Sequence, residues 1–227
     1  VDSISKAGGQ ITAIDVNPVD AIWHDQPAMP APSAWHMEDA VAGQSVADKL
    51  QVLADDLRQQ NLRAALLSRV DAVNWLVNIR GNDLANTPVN LVFALYHREN
   101  GLLILGDVAS LAPVMEGDLA NEAAIVALEQ FDALIDPRAG YGEGAVIQFE
   151  PASLPQALYA PLAACGAKLV EAACPVTVMK AQKNSAECAG TRRAHIEDGA
   201  VMVRFLHWLS VGGGNGMAES DIAAHLL

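Results

Sequence analysis

The sequence predicts an α/β fold, in which a mixed β-sheet is flanked by helices. The first observation is that helix-like and strand-like patterns alternate over residues 43–178. The second is a β-hairpin pattern inside that region, at residues 89–106. A strand–helix–strand order is typical of parallel pairing, and a hairpin adds an antiparallel pair. The two observations together therefore predict a sheet with both kinds of pairing.

The first helix of this region is predicted at residues 46–60. Ser45 precedes it as a side-chain cap, and Asp48 stands three residues later, at the position that completes a capping box. Apolar residues recur on one face at helical spacing, namely Val46, Leu50, Leu53 and Leu57. The pattern indicates an amphipathic helix that covers the sheet.

A short strand at residues 62–67 is followed by a second predicted helix at 72–79. We expect Asp71 to cap this helix and Gly81 to end it, because glycine adopts the left-handed conformation without steric penalty. Pro88 is expected to open the next strand, where a missing N–H is tolerated. The polar stretch between helix and strand is thus explained in part as a helix end.

The rest of the region continues the alternation of helices and strands. Its predicted helices are residues 107–114, 121–130 and 153–166, and its predicted strands are residues 145–150 and 167–172. Because helices separate these strands, they are expected to extend the sheet beyond the hairpin.

Residues 179–227 have a different character. Asn184 and Glu187 form a capping box that opens a long helix at 185–209, which the glycine run VGGGNG ends. An apolar stripe follows this helix, at Ile196, Gly199, Val203, Leu206 and Leu209 or Ser210. A second helix is predicted to begin near Glu219. Two helices cannot enclose a core alone, so we expect them to pack on the middle region or on further chain.

Composition argues against several classes of protein. The chain of 227 residues has a formal net charge of −13 and no basic block, so no nucleic-acid partner is expected. No apolar run approaches the roughly 20 residues of a membrane span, and no membrane partner is expected. The three cysteines contain no CxxC pair, which favours a reduced, cytoplasmic compartment.

The two ends of the sequence indicate a piece of a longer polypeptide. Residues 1–42 are rich in turn-forming residues and are interpreted as a linker, with Trp23 and Trp35 expected to dock it on a protein surface. The chain begins with Val1 and stops within a helical pattern, ESDIAAHLL, that has no end signal.

No complete catalytic constellation can be assembled from the residues themselves. None of the six histidines stands at the spacing of a tight metal-ligand pair. His195 and His207 share the predicted long helix, but they lie about three turns apart, which is too far to bind one metal ion. The run GGGNGMAES lacks the Lys-Ser/Thr of a phosphate-binding loop.

The run VNWLVNIRGNDLANTPV at residues 73–89 resembles the middle domain of the three-domain Xaa-Pro aminopeptidases (aminopeptidase P) in the creatinase/prolidase superfamily. The family pattern is a helix with Trp-Leu, then Asn-x-Arg-Gly-x-Asp, then Asn-Pro-Val. The matching residues are Trp75, Leu76, Asn78, Arg80, Gly81, Asp83, Pro88 and Val89. VDAIWHDQPAMP and VMKAQKNSAECAGTRRAHIEDGAVMVRFLHWL are similar to the family's segments on either side. Two positions depart from the pattern: Thr87 stands before the proline, and Ala218 replaces the family's capping threonine.

The resemblance implies a creatinase N-terminal-like (ribonuclease H-like) sheet, followed by the first helices of a pita-bread catalytic domain. It implies three parts: residues 1–42 as the end of a first domain and linker, 43–178 as the middle domain, and 179–227 as the catalytic-domain start. The family releases the first residue of short peptides with proline at the second position, and its members are commonly homodimers. It uses two divalent metal ions, usually Mn²⁺, held by two Asp, one His and two Glu. Those ligands match no residue of this chain, so neither a catalytic residue nor a bound metal is expected here, and the chain alone should be inactive.

Within this chain, the resemblance makes Arg80 and Asp83 candidate substrate-binding residues at the rim of a cleft. A guanidinium at a helix end can hold a carboxylate or a carbonyl oxygen. The alternative is that Arg80 only stabilises the helix C-terminus and pairs with Asp83. Two other functions also stay open: a prolidase or creatinase-type enzyme, and a non-catalytic peptide-binding module of the same superfamily.

Overall fold

The computed structural model describes residues 2–12, 14, 16–115, 119–136, 138 and 140–226, which form two compact units, 1–30 and 31–227. The first unit contains a short helix, α1 (Asp2–Lys6), and a turn in which Asn17 Oδ1 accepts a hydrogen bond from the Val19 amide at 3.1 Å. Trp23 exposes 45% of its surface and Trp35, in the second unit, 43%. Neither tryptophan is enclosed by protein.

The second unit is built on a mixed sheet, as the sequence predicts, and the structure shows six strands in it. Its spatial order is β6-β5-β4-β2-β7-β8. These strands are β2 (Ala64–Leu67), β4 (Phe93–His97), β5 (Gly101–Leu105), β6 (Ala123–Val126), β7 (Val146–Phe149) and β8 (Lys168–Glu171). The hairpin β4–β5 and the pair β2–β4 are antiparallel, whereas β2–β7, β7–β8 and β5–β6 are parallel. A separate antiparallel pair joins β1 (Trp35–His36) to β3 (Ile79–Arg80).

Helices cover both faces of this sheet. The helices of the second unit are α2 (Asp39–Ala42), α3 (Val46–Gln59), α4 (Val70–Leu76), α5 (Val108–Leu111), α6 (Leu119–Glu122), α7 (Phe131–Leu134), α8 (Gln156–Ala164), α9 (Pro175–Ala181), α10 (Ser185–Ser210) and α11 (Glu219–Leu226), of which α10 and α11 contribute no described residue to the core clusters. Short 3₁₀ helices follow α5 at Ala112–Met115 and precede α7 at Leu128–Gln130.

Strand periodicity divides the core into two layers. Along β2, Ala65 and Leu67 point into one apolar cluster, which α3, α4 and α9 cover. Ala64 and Leu66 point into the other cluster, beneath α7 and α8. Successive side chains of a strand face opposite sides of the sheet, so a fully apolar strand is expected where both faces are covered.

The predicted caps at Ser45 and Asn184 are confirmed. Ser45 Oγ accepts a hydrogen bond from the Asp48 amide at 3.1 Å, and the capping box of Asn184 and Glu187 is complete. At α11, where Ala218 cannot cap, the Asp221 carboxylate accepts a hydrogen bond from the Ala218 amide at 3.2 Å. A carboxylate reaching back from the first turn thus replaces the missing cap.

The helix predicted at residues 121–130 is wrong. Strand β6 occupies Ala123–Val126 and pairs in parallel with β5. The run is alanine-rich and would suit a helix locally, but Ile125 and Val126 are β-branched and pair with Ile104 and Leu105. Sheet pairing and burial therefore override the local helix preference.

The boundaries and end of α4 also differ from the prediction. The helix begins at Val70, with Arg69 as its N-cap residue, so Asp71 lies in the first turn and not at the cap. There Asp71 forms an ion pair with Lys180 of α9. The left-handed residue after the helix is Asn78, with a φ of 52°, and not Gly81.

The long helix α10 packs through its first turns and exposes its predicted apolar stripe. Its N-terminal part lies against α2, whereas Ile196, Val203 and Leu206 are exposed by 74%, 68% and 56%. At its far end α11 folds back, and the rings of Trp208 and His225 stack with their centroids 4.0 Å apart. The stripe is therefore uncovered within the described part of the chain.

Candidate functional site

A cleft of about 530 Å³ opens between α4 and the first turns of α10. Its charged lining consists of Lys49, Arg80, Lys183, Glu187 and Arg193. Trp75 and Asn78 complete its inner wall, and small residues of α2 and α10 form the outer wall. We call this space the α4–α10 cleft. Its volume is within the range usual for small-molecule sites.

Asn78 forms the inner end of the cleft and joins three segments. Its left-handed backbone turns the chain out of α4 into β3, where its carbonyl accepts a hydrogen bond from the Met37 amide at 2.7 Å. Its Nδ2 donates to Asp39 Oδ1 at 3.1 Å and to the Gln44 carbonyl at 2.9 Å. Asparagine suits this position because it tolerates the left-handed conformation better than other non-glycine residues.

Lys49 is a buried cation beside this turn. Only 1% of its surface is exposed, although it lies on α3 among the apolar residues of that helix. Its Nζ donates to the Trp75 carbonyl at 2.8 Å and to Asn78 Oδ1 at 2.5 Å. The same atom lies 4.1 Å from the centroid of the Trp75 ring, a cation–π distance. These contacts fix the amine at the floor of the cleft.

Burial lowers the pKa of Lys49 from 10.5 to about 8. Desolvation is the main cause, because it disfavours the charged form. The carboxylate of Glu187 opposes this shift, while the positive charge of Arg80 adds to it. The amine therefore changes its charge close to neutral pH.

A pH titration of stability should reveal this shift. Between pH 8 and 10.5 the unfolded chain keeps a proton that the folded chain has released, so the folded state gains stability as pH rises, by at most about 1.4 kcal/mol per pH unit. Below pH 8 the penalty for burying the charge is fully present. Urea unfolding at pH 7.5 to 9.5 should thus give a steeper rise for the native chain than for Lys49→Met. Equal slopes in the two proteins would contradict the shift, since all other titrating groups are common to both.

Glu187 ties the start of α10 to α4. Its Oε1 accepts a hydrogen bond from Trp75 Nε1 at 2.8 Å, and its Oε2 accepts one from the Asn184 amide at 3.0 Å. Asn184 Nδ2 in turn donates to the Ala42 carbonyl at 2.8 Å. The capping box predicted from the sequence therefore also joins the start of α10 to α2 and α4.

Arg80 lies in β3, beyond the end of α4 and not at the end of a helix as the sequence predicts, and it lines the cleft. Its Nη1 donates to the carbonyls of Asn74 and Ile79, at 3.3 and 2.7 Å. Desolvation lowers the pKa of its guanidinium, although Glu187 opposes the change. Within the described residues, no ion pair joins Arg80 to Asp83 and no acceptor takes up its Nε or Nη2 protons.

Asp83 lies outside the lining of the cleft. Its Oδ2 accepts a hydrogen bond from the Leu91 amide at 2.6 Å, and its Oδ1 accepts one from Asn90 Nδ2 at 3.3 Å. Asn90 is itself held by Asn74, whose side chain exchanges two hydrogen bonds with the Asn90 backbone. Asp83 thus braces the loop before β4, next to the turn that carries Arg80.

Metal-ligand geometry is absent from the part of the chain that the structure describes. No three His, Cys, Asp or Glu side chains come together there as a metal site requires. The residues described therefore do not fit a two-metal centre. Nor does any helix in the described ranges combine the length and apolar character needed to cross a bilayer.

Comparison with known proteins gives one family and a consistent group of relatives. The family model described as Creatinase/Prolidase N-terminal domain matches residues 25–187. "Probable Xaa-Pro aminopeptidase P" of Arthroderma benhamiae is 30% identical over 217 residues, which cover 91% of this chain and 30% of the relative. The protein of the same name from Metarhizium robertsii is 30% identical over 223 residues, covering 92% and 35%. The chain thus spans about a third of the length of these relatives.

Two solved structures share its fold. The X-prolyl aminopeptidase of Caenorhabditis elegans, described as a cytosolic enzyme with a di-nuclear active site, superposes with a TM-score of 0.84 at 22% identity, over 99% of this chain and 37% of that one. The Xaa-Pro dipeptidase of Bacillus anthracis gives a TM-score of 0.59 at 14% identity, over 80% and 48%. At these identities the likeness establishes the fold alone.

Proposed function

Because the chain belongs to the creatinase/prolidase family, we propose that it is part of a metalloaminopeptidase. That enzyme removes the N-terminal residue from peptides with proline at the second position. The chain supplies a non-catalytic domain that forms part of the substrate cleft. The observation that carries this proposal is the α4–α10 cleft, with Arg80 in its wall and the Nε and Nη2 protons of Arg80 without an acceptor among the described residues.

The choice of an aminopeptidase over a dipeptidase rests on the curated relatives. Those at about 30% identity are named Xaa-Pro aminopeptidase P, and they match over more than nine-tenths of this chain. In the proposal, residues 1–42 end a first domain, 43–178 form the middle domain and 179–227 begin a pita-bread catalytic domain.

The two metal ions, Mn²⁺ in this proposal, are assigned to further chain, since the described residues do not fit them. A di-nuclear site in the Caenorhabditis elegans enzyme supports that number. When bound, such ions activate a water and stabilise the oxyanion of a peptide carbonyl. The residues of this chain contribute by binding and orienting the peptide. A homodimer in the cytoplasm is the proposed state of the longer protein.

A domain exchange tests the proposal directly. The matched segment of the Metarhizium robertsii relative is replaced by this chain, and release of the first residue is measured on a tripeptide with proline second. The chimera should cleave it in the presence of Mn²⁺ and lose activity with a chelator, whereas this chain alone should release nothing. Turnover by the chain alone would contradict the assignment of catalysis to other residues. A folded chimera without proline-directed cleavage would overturn the proposed role.

Arg80→Ala in the active chimera should raise KM for the tripeptide by roughly 10- to 150-fold, because one charge-assisted hydrogen bond contributes roughly 1.5–3 kcal/mol. Arg58→Ala is the matched control, since Arg58 is an exposed arginine that pairs with Asp55 away from the cleft. An unchanged KM with lower stability would assign Arg80 to the helix end alone. Asp83 is proposed to act at the same rim, by holding the loop of Asn90 and Leu91.

A further inference from the structure

The α4–α10 cleft is positively charged in a protein that is strongly acidic. Its lining contains four basic residues, Lys49, Arg80, Lys183 and Arg193, and a single acidic one, Glu187. The whole chain has a formal net charge of −13. A recess lined with one sign of charge focuses the field and concentrates ligands of the opposite sign. The ligand of this cleft is therefore expected to be an anion.

The one acid, Glu187, offsets only one of the four positive charges in the lining. Both oxygens of Glu187 accept hydrogen bonds, from Trp75 and Asn184, and so hold α10 in place. Arg193 is fully available, because it has no hydrogen bond or ion pair within the described residues. Arg80 offers its Nε and Nη2 protons. Guanidinium groups bind carboxylates through pairs of parallel hydrogen bonds.

The outer wall of the cleft indicates that the ligand carries a small apolar group next to its negative charge. Ala186, Ala189 and Gly190 stand at helical spacing with Arg193 on one face of α10. A Cβ on Gly190 would meet no atom within 4 Å, so no packing contact requires a glycine there. Lys49 occupies one face of the Trp75 ring and only 7% of the Trp75 surface is exposed, so the ring offers little area for stacking a nucleobase. A short peptide fits this combination better than a nucleotide does.

We propose that the α4–α10 cleft binds the C-terminal carboxylate of a short peptide, through Arg80 and Arg193. The carboxylate lies between the two guanidinium groups, and the preceding residue lies against the small side chains of α10. This inference rests on the proposed function for the identity of the peptide. The site itself rests only on the residues of this chain.

The test is a binding titration on the full chain, which needs no catalysis. The ¹⁵N-labelled protein is titrated with Ala-Pro-Ala, with its C-terminal amide and with inorganic phosphate, and the Trp75 indole N–H is followed by NMR. This proton lies in the cleft and donates to Glu187. The free acid should move the resonance saturably, and the amide should bind at least tenfold more weakly. Equal binding of acid and amide, or phosphate binding as tight as the peptide, would overturn the proposal.

Two matched pairs of variants locate the site. Arg193→Gln should weaken binding of the acid at least tenfold, while Arg192→Gln removes the same charge from the same helix outside the cleft and should change it less than twofold. Gly190→Leu should block binding by filling the cleft, whereas Gly199→Leu, also with open space at its Cβ, should not. Equal effects within either pair would contradict the assignment.

The outcomes separate this inference from the proposed function. Carboxylate binding without activity in the chimera would leave the cleft as a carboxylate site and reject the peptidase role. Activity in the chimera with no binding of the acid would reject the cleft assignment alone.

Discussion

Replacing Asn78 by alanine is expected to lower the free energy of unfolding by about 3 kcal/mol. About 1 kcal/mol of this arises because alanine is strained at a φ of 52°. The larger part arises at Lys49, whose buried Nζ loses Asn78 Oδ1 and keeps only the Trp75 carbonyl as a described acceptor. A buried polar group without its partner is destabilising by roughly 1–3 kcal/mol. Urea unfolding followed by far-UV circular dichroism measures the change.

Asn61→Ala is the matched control for the backbone. Asn61 has a φ of 55°, is exposed, and makes no side-chain hydrogen bond within the described residues. Its replacement should cost about 1 kcal/mol, from strain alone. The loss of unfolding free energy in Asn78→Gly should fall between those of Asn61→Ala and Asn78→Ala. Glycine relieves the strain, but Lys49 still loses the Asn78 acceptor. An Asn78→Ala effect equal to that of Asn61→Ala would show that the side-chain contacts add nothing.

Gly81→Ala is expected to destabilise the protein by about 2–3 kcal/mol, through a steric clash. A Cβ at this position would lie 2.1 Å from Asn90 Nδ2. Asn90 cannot move aside easily, because its backbone exchanges hydrogen bonds with the Asn74 side chain and its own side chain donates to Asp83. The clash should therefore displace the loop that leads into β4. Thermal and urea unfolding both measure the loss.

A double-mutant cycle isolates this clash. Removing the Asn90 side chain makes room, so Gly81→Ala should cost much less in an Asn90→Ala background than alone. Gly199→Ala is the positive control for helix propensity, because its Cβ would meet open space on α10 and should stabilise the chain by about 1 kcal/mol. Additive effects of Gly81→Ala and Asn90→Ala would contradict the steric explanation.

Much of the fold could be predicted because local signals agreed with the final packing. Ser45, Asn184 and Glu187 mark the starts of α3 and α10 through side-chain caps, which depend only on neighbouring residues. The hairpin β4–β5 and the buried strand β2 also follow from apolar patterning. The segment 121–130 could not be predicted in this way, since its strand exists only because β5 lies beside it.

The candidate site was less accessible to sequence reasoning, because it joins residues that lie far apart in the chain. Arg80 stood out through a family pattern, and Glu187 stood out only as a cap. The hydrogen bond from Trp75 to Glu187 spans 112 positions, and no local rule links them. Lys49 did leave a signal, because a lysine on the apolar face between Val46 and Leu53 is exceptional and indicates a buried, partnered amine.

Because α10 is anchored at its first turn, a small rotation there would displace its far end by a larger distance. It has 26 residues, so its axis is about 39 Å long, and a rotation of only 5° at its first turn would displace its far end by about 3 Å. The hydrogen bonds of Glu187 to Trp75 and of Asn184 to Ala42 fix the angle of the helix axis at that first turn. Any change that tilted α10 at these bonds would therefore displace Trp208 and its contact with His225 of α11 much further than it displaced the first turn.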